Sequence, residues 1–160
     1  MFLGICICLI LISLCCIIYS DITERLIPNA IVVFLFLISF LYIFVLRYEF
    51  SFYDARNNFS SMISILFIFF SFYLMGVMGA GDVKLASVLA FLLGLNGFLF
   101  VFIFSIIISF IYFGWICFFK KTTIKFGFNK KIAPYGAFMS FGVIAYLYVV
   151  ILCKSWGGYD

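Results

Sequence analysis

Polar residues in this chain are confined to a few short stretches, and between them lie six apolar runs, at about 2–20, 30–46, 60–78, 83–94, 97–119 and 136–153. Runs such as Met62 to Met78 and Phe98 to Phe119 are apolar almost all round. A helix that buries one face in a soluble core shows polar positions at helical spacing instead. At about 1.5 Å rise per residue the first run reaches roughly 28 Å, enough to cross a hydrocarbon layer about 30 Å thick. The fourth run is short for that task and is parted from the fifth only by Gly94-Leu95-Asn96-Gly97. One long helix over both is an alternative, but the paired glycines around Asn96 favour a tight reversal. The pattern therefore predicts an all-α integral membrane protein of six transmembrane helices in a single domain, 1–160, with no internal repeat.

Composition strengthens this reading: 68% of the 160 residues are hydrophobic, 10% are charged, and mean hydropathy is +1.35. So little polar surface cannot cover a soluble domain of this size. The first apolar run lacks a basic leader and a small-x-small cleavage site, so it is expected to be a retained helix and not a signal peptide. With the N-terminus outside, cytoplasmic segments hold Arg25, Lys84, Lys120, Lys121, Lys125, Lys130 and Lys131, and outer ones hold Arg47, Arg56 and Lys154. Seven basic residues against three favour that orientation. The loop at 47–59 also carries Glu49 and Asp54, which suits an exterior position. The lysines between Lys120 and Lys131 are expected to lie on anionic lipid.

The net charge of +4 is not gathered into a basic strip with aromatic partners, which excludes nucleic acid as an expected ligand. Histidine is absent, and Cys6, Cys8, Cys15, Cys16, Cys117 and Cys153 form no CxxC pair. The cysteines read as small buried hydrophobes, and no metal or cofactor is called for. Acid–base chemistry falls to carboxylates, Lys, Tyr or Cys.

Three acids, Asp21, Glu24 and Asp82, fall on the cytoplasmic side. A carboxylate at membrane depth costs about 2.5 to 3.5 kcal/mol on insertion scales, and such groups usually face a cavity or a partner. Asp82 lies in Gly79-Ala80-Gly81-Asp82-Val83-Lys84-Leu85. Gly79 and Gly81 are expected to permit positive φ and close backbone approach, with Asp82 at the N-cap of the following helix. Taken alone, this is an ordinary glycine-rich turn with a capping aspartate. Asp21 ends the first apolar run, and taken alone it is a solvated helix terminus. Pro28 is expected in the first turn of the second helix, where its missing amide is no loss. Together the two acids have another use, because carboxylates within reach of one another divide the roles of base and acid. The base is assigned to Asp82, beside a helix N-terminus, and the acid to Asp21, near a helix C-terminus.

These residues resemble the type IV prepilin peptidases, GxGD-type membrane aspartyl proteases. The matching pieces are Asp21 with Ile27-Pro28-Asn29, then Gly79-Ala80-Gly81-Asp82-Val83-Lys84-Leu85, then Pro134-Tyr135-Gly136-Ala137-Phe138. The resemblance implies that Asp21 and Asp82 are catalytic, and that Gly79, Gly81, Lys84, Pro28, Asn29, Pro134, Tyr135 and Gly136 support them. It implies an aspartic endopeptidase in a bacterial or archaeal cytoplasmic membrane. The implied substrate is a prepilin or pseudopilin, with a basic leader and a hydrophobic helix, cut on the cytoplasmic side after a glycine. Larger members carry an added cytoplasmic segment with paired CxxC motifs and often methylate the product. The resemblance is to the compact form, in which the protease core is expected without that segment, and methylation stays open. Ala137 stands where many relatives have proline. Lys84 is expected either to snorkel as an anchor or to hold an acidic substrate residue, and Tyr135 and Gly136 to shape the membrane boundary. Two other functions remain open: a proton-coupled transporter, since buried acids also relay protons, and a noncatalytic membrane assembly subunit.

Overall fold

The computed structural model describes residues 2–46, 52–120 and 134–156, and among these the only regular secondary structure is helical. Arg47, Glu49, Lys121, Lys125, Lys130, Lys131 and Asp160 lie outside the described residues, as do the side chains of Asp54, Cys117, Lys120, Cys153 and Lys154. The elements are α1 (Phe2–Thr23), α2 (Asn29–Leu46), α3 (Phe52–Leu74), α4 (Ala80–Lys120) and α5 (Tyr135–Trp156). Among the described residues, Gly4–Thr23, Arg56–Leu74 and Ala80–Trp115 are long and apolar enough to cross a membrane, and Asn29–Ile43 and Tyr135–Val150 are shorter apolar helices.

Helix α3 differs from the hydropathy pattern at both ends. It starts at Phe52, so most of the expected outer loop is helical, polar though residues such as Arg56, Asn57 and Asn58 are. It stops at Leu74 because Gly76 takes φ 74°. The Gly76 amide donates to the Tyr73 carbonyl at 2.9 Å and the Val77 amide to the Phe72 carbonyl at 3.1 Å. That pair of bonds is a Schellman termination, which requires a left-handed residue and so favours glycine.

Helix α4 contains one non-helical residue, Gly94, at φ 71° and ψ 176°, a region open essentially to glycine alone. Its two arms fold back on each other there. The Asp82 carboxylate interacts with the Gly136 amide, and the Ser105 hydroxyl donates to the Phe138 carbonyl at 3.1 Å. In a straight helix, positions 82 and 105 stand about 34 Å apart, yet they reach neighbouring residues in the first turn of α5. Aromatic contacts agree: Phe59 of α3 packs on Phe91 of the first arm at 4.9 Å, and Phe69, farther along α3, packs on Phe98 of the second at 5.8 Å.

The core between the helices is built from Leu14, Ile17, Leu35, Leu85, Leu89, Phe98, Val101 and Val143, all nearly inaccessible. Lipid tails are as apolar as these side chains, so association rests on close packing and hydrogen bonds. A Cβ on Gly142 would lie 3.0 Å from the Val101 carbonyl oxygen, a measure of how nearly α5 touches the second arm of α4. Buried serines return their hydroxyls to their own helices, as in Ser39 to the Leu35 carbonyl and Ser140 to the Gly136 carbonyl. Large apolar side chains, among them Phe67, Phe110 and Ile111, lie two-thirds or more exposed on the outside, an arrangement that water does not tolerate over so large an area. Cys8, Cys15 and Cys16 also face outward. This corrects the expectation that the cysteines are buried; on a lipid-facing surface a small apolar side chain needs no burial.

Candidate active site

The carboxyl ends of α1 and α3 and the amino ends of α2, α4 and α5 gather at one end of the bundle, and both aspartates lie there. Asp21 occupies the last turn of α1 and is only 5% exposed. Its Oδ2 accepts the Ala137 amide at 2.7 Å, and the Gly136 amide interacts with the same carboxylate. Helix α5 begins at Tyr135, and the Pro134 carbonyl accepts the first turn's Phe138 amide at 3.2 Å. Gly136 and Ala137 thus belong to the first turn, whose amides have no partner inside the helix. Asp21 is therefore at the end of one helix and the beginning of another, and the positive end of the α5 dipole faces its carboxylate. The contrast drawn from sequence, with Asp82 alone beside a helix N-terminus, does not hold.

Asp82 is the third residue of α4, inside its first turn and not at the N-cap as expected, because the helix starts three residues earlier. The Val83 amide donates to the Gly79 carbonyl at 3.3 Å, which makes Gly79 the N-cap. The Asp82 carboxylate folds back to accept the Gly79 amide at 3.2 Å, as the acidic member of a capping box does. Gly79 and Gly81 do not have positive φ; Gly76, Gly94 and Arg25 do. What the two positions need is proximity. A Cβ on Gly79 would lie 3.1 Å from Asp82 Oδ2, and one on Gly81 would lie 3.1 Å from the Cβ of Ile27.

The two acids meet through α5. Asp82 interacts electrostatically with Asp21 and with the Gly136 amide, which also serves Asp21. A side chain on Gly136 would put its Cβ 3.1 Å from Asp21 Oδ2. Its absence lets the backbone stand between the carboxylates. Arg25, in the α1–α2 connection, is within electrostatic reach of Asp21.

The remaining residues singled out from sequence also fall here, several with different roles. Lys84 Nζ donates to Asn29 Oδ1 at 3.0 Å, a bond to a neutral amide that leaves the exposed ammonium its charge and its other N–H donors. Pro28 precedes α2 and does not lie in its first turn: its carbonyl accepts the amides of Ile31 at 3.1 Å and Val32 at 3.4 Å. Pro134 and Gly136 are buried and Tyr135 is half-buried against the core, so this segment is part of the site. Two contributors carry no chemical signal in the sequence. Ile27 fills the space between Gly81 and Gly136, and Ser20 donates to the Leu26 carbonyl at 2.7 Å, tying the connection to the residue before Asp21.

An open groove of about 590 Å³ runs along the α1–α2 seam past Leu11, Cys15 and Tyr19 to Ser20 and Glu24. Neither aspartate lines it, so it is a lipid-facing seam beside the site and not the site itself.

Two buried or half-buried carboxylates, held by backbone amides and adjacent to one another, can bind and polarise a water without a metal. No curated protein and no solved structure matches the chain significantly. The model of the type IV leader peptidase family matches residues 8–114, about two thirds of the chain and a stretch that includes both aspartates. By that match, and with its all-helical, lipid-suited architecture, the chain belongs to the type IV leader peptidase family.

Proposed function

We propose that the protein is an intramembrane aspartyl endopeptidase that removes the leader peptide of a type IV prepilin-like or pseudopilin substrate, with Asp21 and Asp82 as its catalytic pair. The observation that carries this reading is the convergence of two acids 61 positions apart on the first turn of α5. One carboxylate takes a proton from water as the water oxygen attacks the scissile carbonyl carbon, while the other gives its proton to the carbonyl oxygen. The tetrahedral diol then collapses: one of its hydroxyls returns a proton to the carboxylate that gave one, the C–N bond breaks, and the amine nitrogen takes from the other carboxyl the proton that came from water. Such a pair titrates as a unit. Because both acids are held mainly by amides at helix amino ends, neither has a clear prior claim to either role.

In this reading the chain crosses the cytoplasmic membrane of a bacterium or archaeon six times, with its N-terminus outside and the acids at the cytoplasmic end. The fold-back at Gly94 supports six crossings, and the excess of Lys and Arg in the sequence segments expected on the cytoplasmic side supports the orientation. The substrate must unwind at the cut, since a helical carbonyl is already engaged in hydrogen bonding.

The test is co-expression with a prepilin whose leader ends in glycine, reading the mass of the mature N-terminus. Asp21→Asn and Asp82→Asn are each expected to lower cleavage by about 1000-fold or more. Full cleavage by either variant would overturn the assignment. The same mass reports whether a methyl group is added.

A further inference from the structure

Residues 27–29 belong to none of the helix ends that hold the acids, yet they lie against the amino ends of α4 and α5. Ile27 sits where a Cβ on Gly81 would be 3.1 Å from its Cβ, and a Cβ on Gly136 only 2.6 Å from its Cδ1. Gly81 belongs to the turn that presents Asp82, and Gly136 to the turn that presents amides to both acids. One side chain thus bears on both walls of the site. The segment is anchored on either side. Ser20 Oγ donates to the Leu26 carbonyl, joining the residue before Asp21 to the residue before Ile27. Asn29 Oδ1 accepts from Lys84 Nζ, two residues beyond Asp82. The Pro28 carbonyl caps α2, so the segment is continuous with a rigid helix.

We infer that Ile27-Pro28-Asn29 is a positioning strut: Ile27 sets the spacing between the turns that carry Asp82 and receive Asp21, and the Lys84–Asn29 bond locks that spacing. This rests on the reading of Asp21 and Asp82 as the catalytic pair. Ile27 carries no group that can move a proton, and the bond Lys84 makes is to Asn29 and not to either acid. Their work is to keep two carboxyl groups at the separation at which one water bridges them, and small displacements at such a centre lower turnover steeply. The contacts account for the glycine at 81 and add to the closeness of Asp21 in favouring glycine at 136.

The experiment uses the full chain purified in detergent with a leader-junction peptide reporter, measuring kcat, KM and the thermal midpoint. Ile27→Ala is expected to lower kcat about 10- to 100-fold, with KM changed less than about threefold, and Ile27→Val to fall between it and the parent. Lys84→Ala and Asn29→Ala alter an exposed pair and are expected to fold normally, so they carry the test should Ile27→Ala not fold. Each should lower kcat by a similar factor, and the double variant should be no worse than either single one, because both remove the same bond. Asn29→Asp, which keeps an acceptor oxygen for Lys84, should recover most of the turnover lost in Asn29→Ala.

Parent-like kcat in Ile27→Ala, multiplicative losses in the Lys84/Asn29 pair, or losses confined to KM would each overturn the strut. Asp21→Asn and Asp82→Asn, run alongside, separate the two claims. If either retains cleavage, the catalytic pair is wrong whatever the strut variants do. If both are inactive while the strut variants turn over like the parent, the strut alone is wrong.

Discussion

At the scale of single residues, the most informative position is Ala137. The resemblance to prepilin peptidases marks it as a departure, since many relatives place proline there, and here its amide donates to Asp21 Oδ2 at 2.7 Å. Proline has no amide to give. The first turn of α5 tolerates proline because no intrahelical bond is lost, so Ala137→Pro deletes a single donor. A hydrogen bond to a charged group contributes about 1.5 to 3 kcal/mol, and proline offsets about 0.4 to 1 kcal/mol of that by restricting the unfolded chain. The expected outcome is a net loss of roughly 1 to 2 kcal/mol, read as a lower unfolding midpoint. In an Asp21→Asn background the loss should shrink, because the charged acceptor is already gone. An undiminished loss there would show that Ala137 acts through α5 packing. The role of this amide was not legible in sequence, where a helix's first turn advertises free donors but not what they face.

At the scale of elements, α4 illustrates how a local signal and a global contact divide the work. The Gly94-Leu95-Asn96-Gly97 turn signal was readable along the chain, while the need for glycine at position 94 follows from φ 71° and ψ 176°. An added Cβ would also come within 3.2 Å of Asn58 Oδ1, from the polar start of α3 that hydropathy had placed in a loop. Gly94→Ala is therefore expected to cost about 1 to 3 kcal/mol, measured as loss of folded protein in a thermal ramp in detergent, whereas the exposed Leu95→Ala should stay close to the parent. Equal stability of Gly94→Ala and the parent would mean that the reversal does not depend on this backbone conformation. Helix α3 shows the complementary failure. Apolar composition carried its expected end beyond Leu74, but a Schellman termination at Gly76 stops it, because backbone geometry and not hydropathy decides where hydrogen bonds end.

For the whole molecule, the topology itself can be tested. In a cysteine-free background, Glu24→Cys and Asn96→Cys mark the two ends of the bundle, and both positions are exposed. A membrane-impermeant thiol reagent applied to intact cells should label Asn96→Cys, and Glu24→Cys only after the membrane is opened. Labelling of both positions from the same side would contradict the six-crossing arrangement. Proteolysis also predicts leader cleavage that proceeds in detergent and is insensitive to an uncoupler. A requirement for an ion gradient would favour the transporter that buried acids also permit. The scaffold alternative predicts that Asp21→Asn and Asp82→Asn change nothing.

Hydropathy alone sufficed to place this chain in a membrane, because lipid leaves no other solution for so much apolar surface; Asp82 stood out because a carboxylate there needs a reason, and Asp21 only in combination with it and with the motifs that follow. The motifs also carried Pro28, Asn29 and Lys84. Nothing along the chain disclosed that Lys84 and Asn29 are partners, that Ile27 wedges two glycines apart, or that α5 delivers its first amides to Asp21. Those are contacts between helix ends far apart in sequence. Their specificity comes from the distance and direction of a few atoms, and these exist only once the bundle has closed.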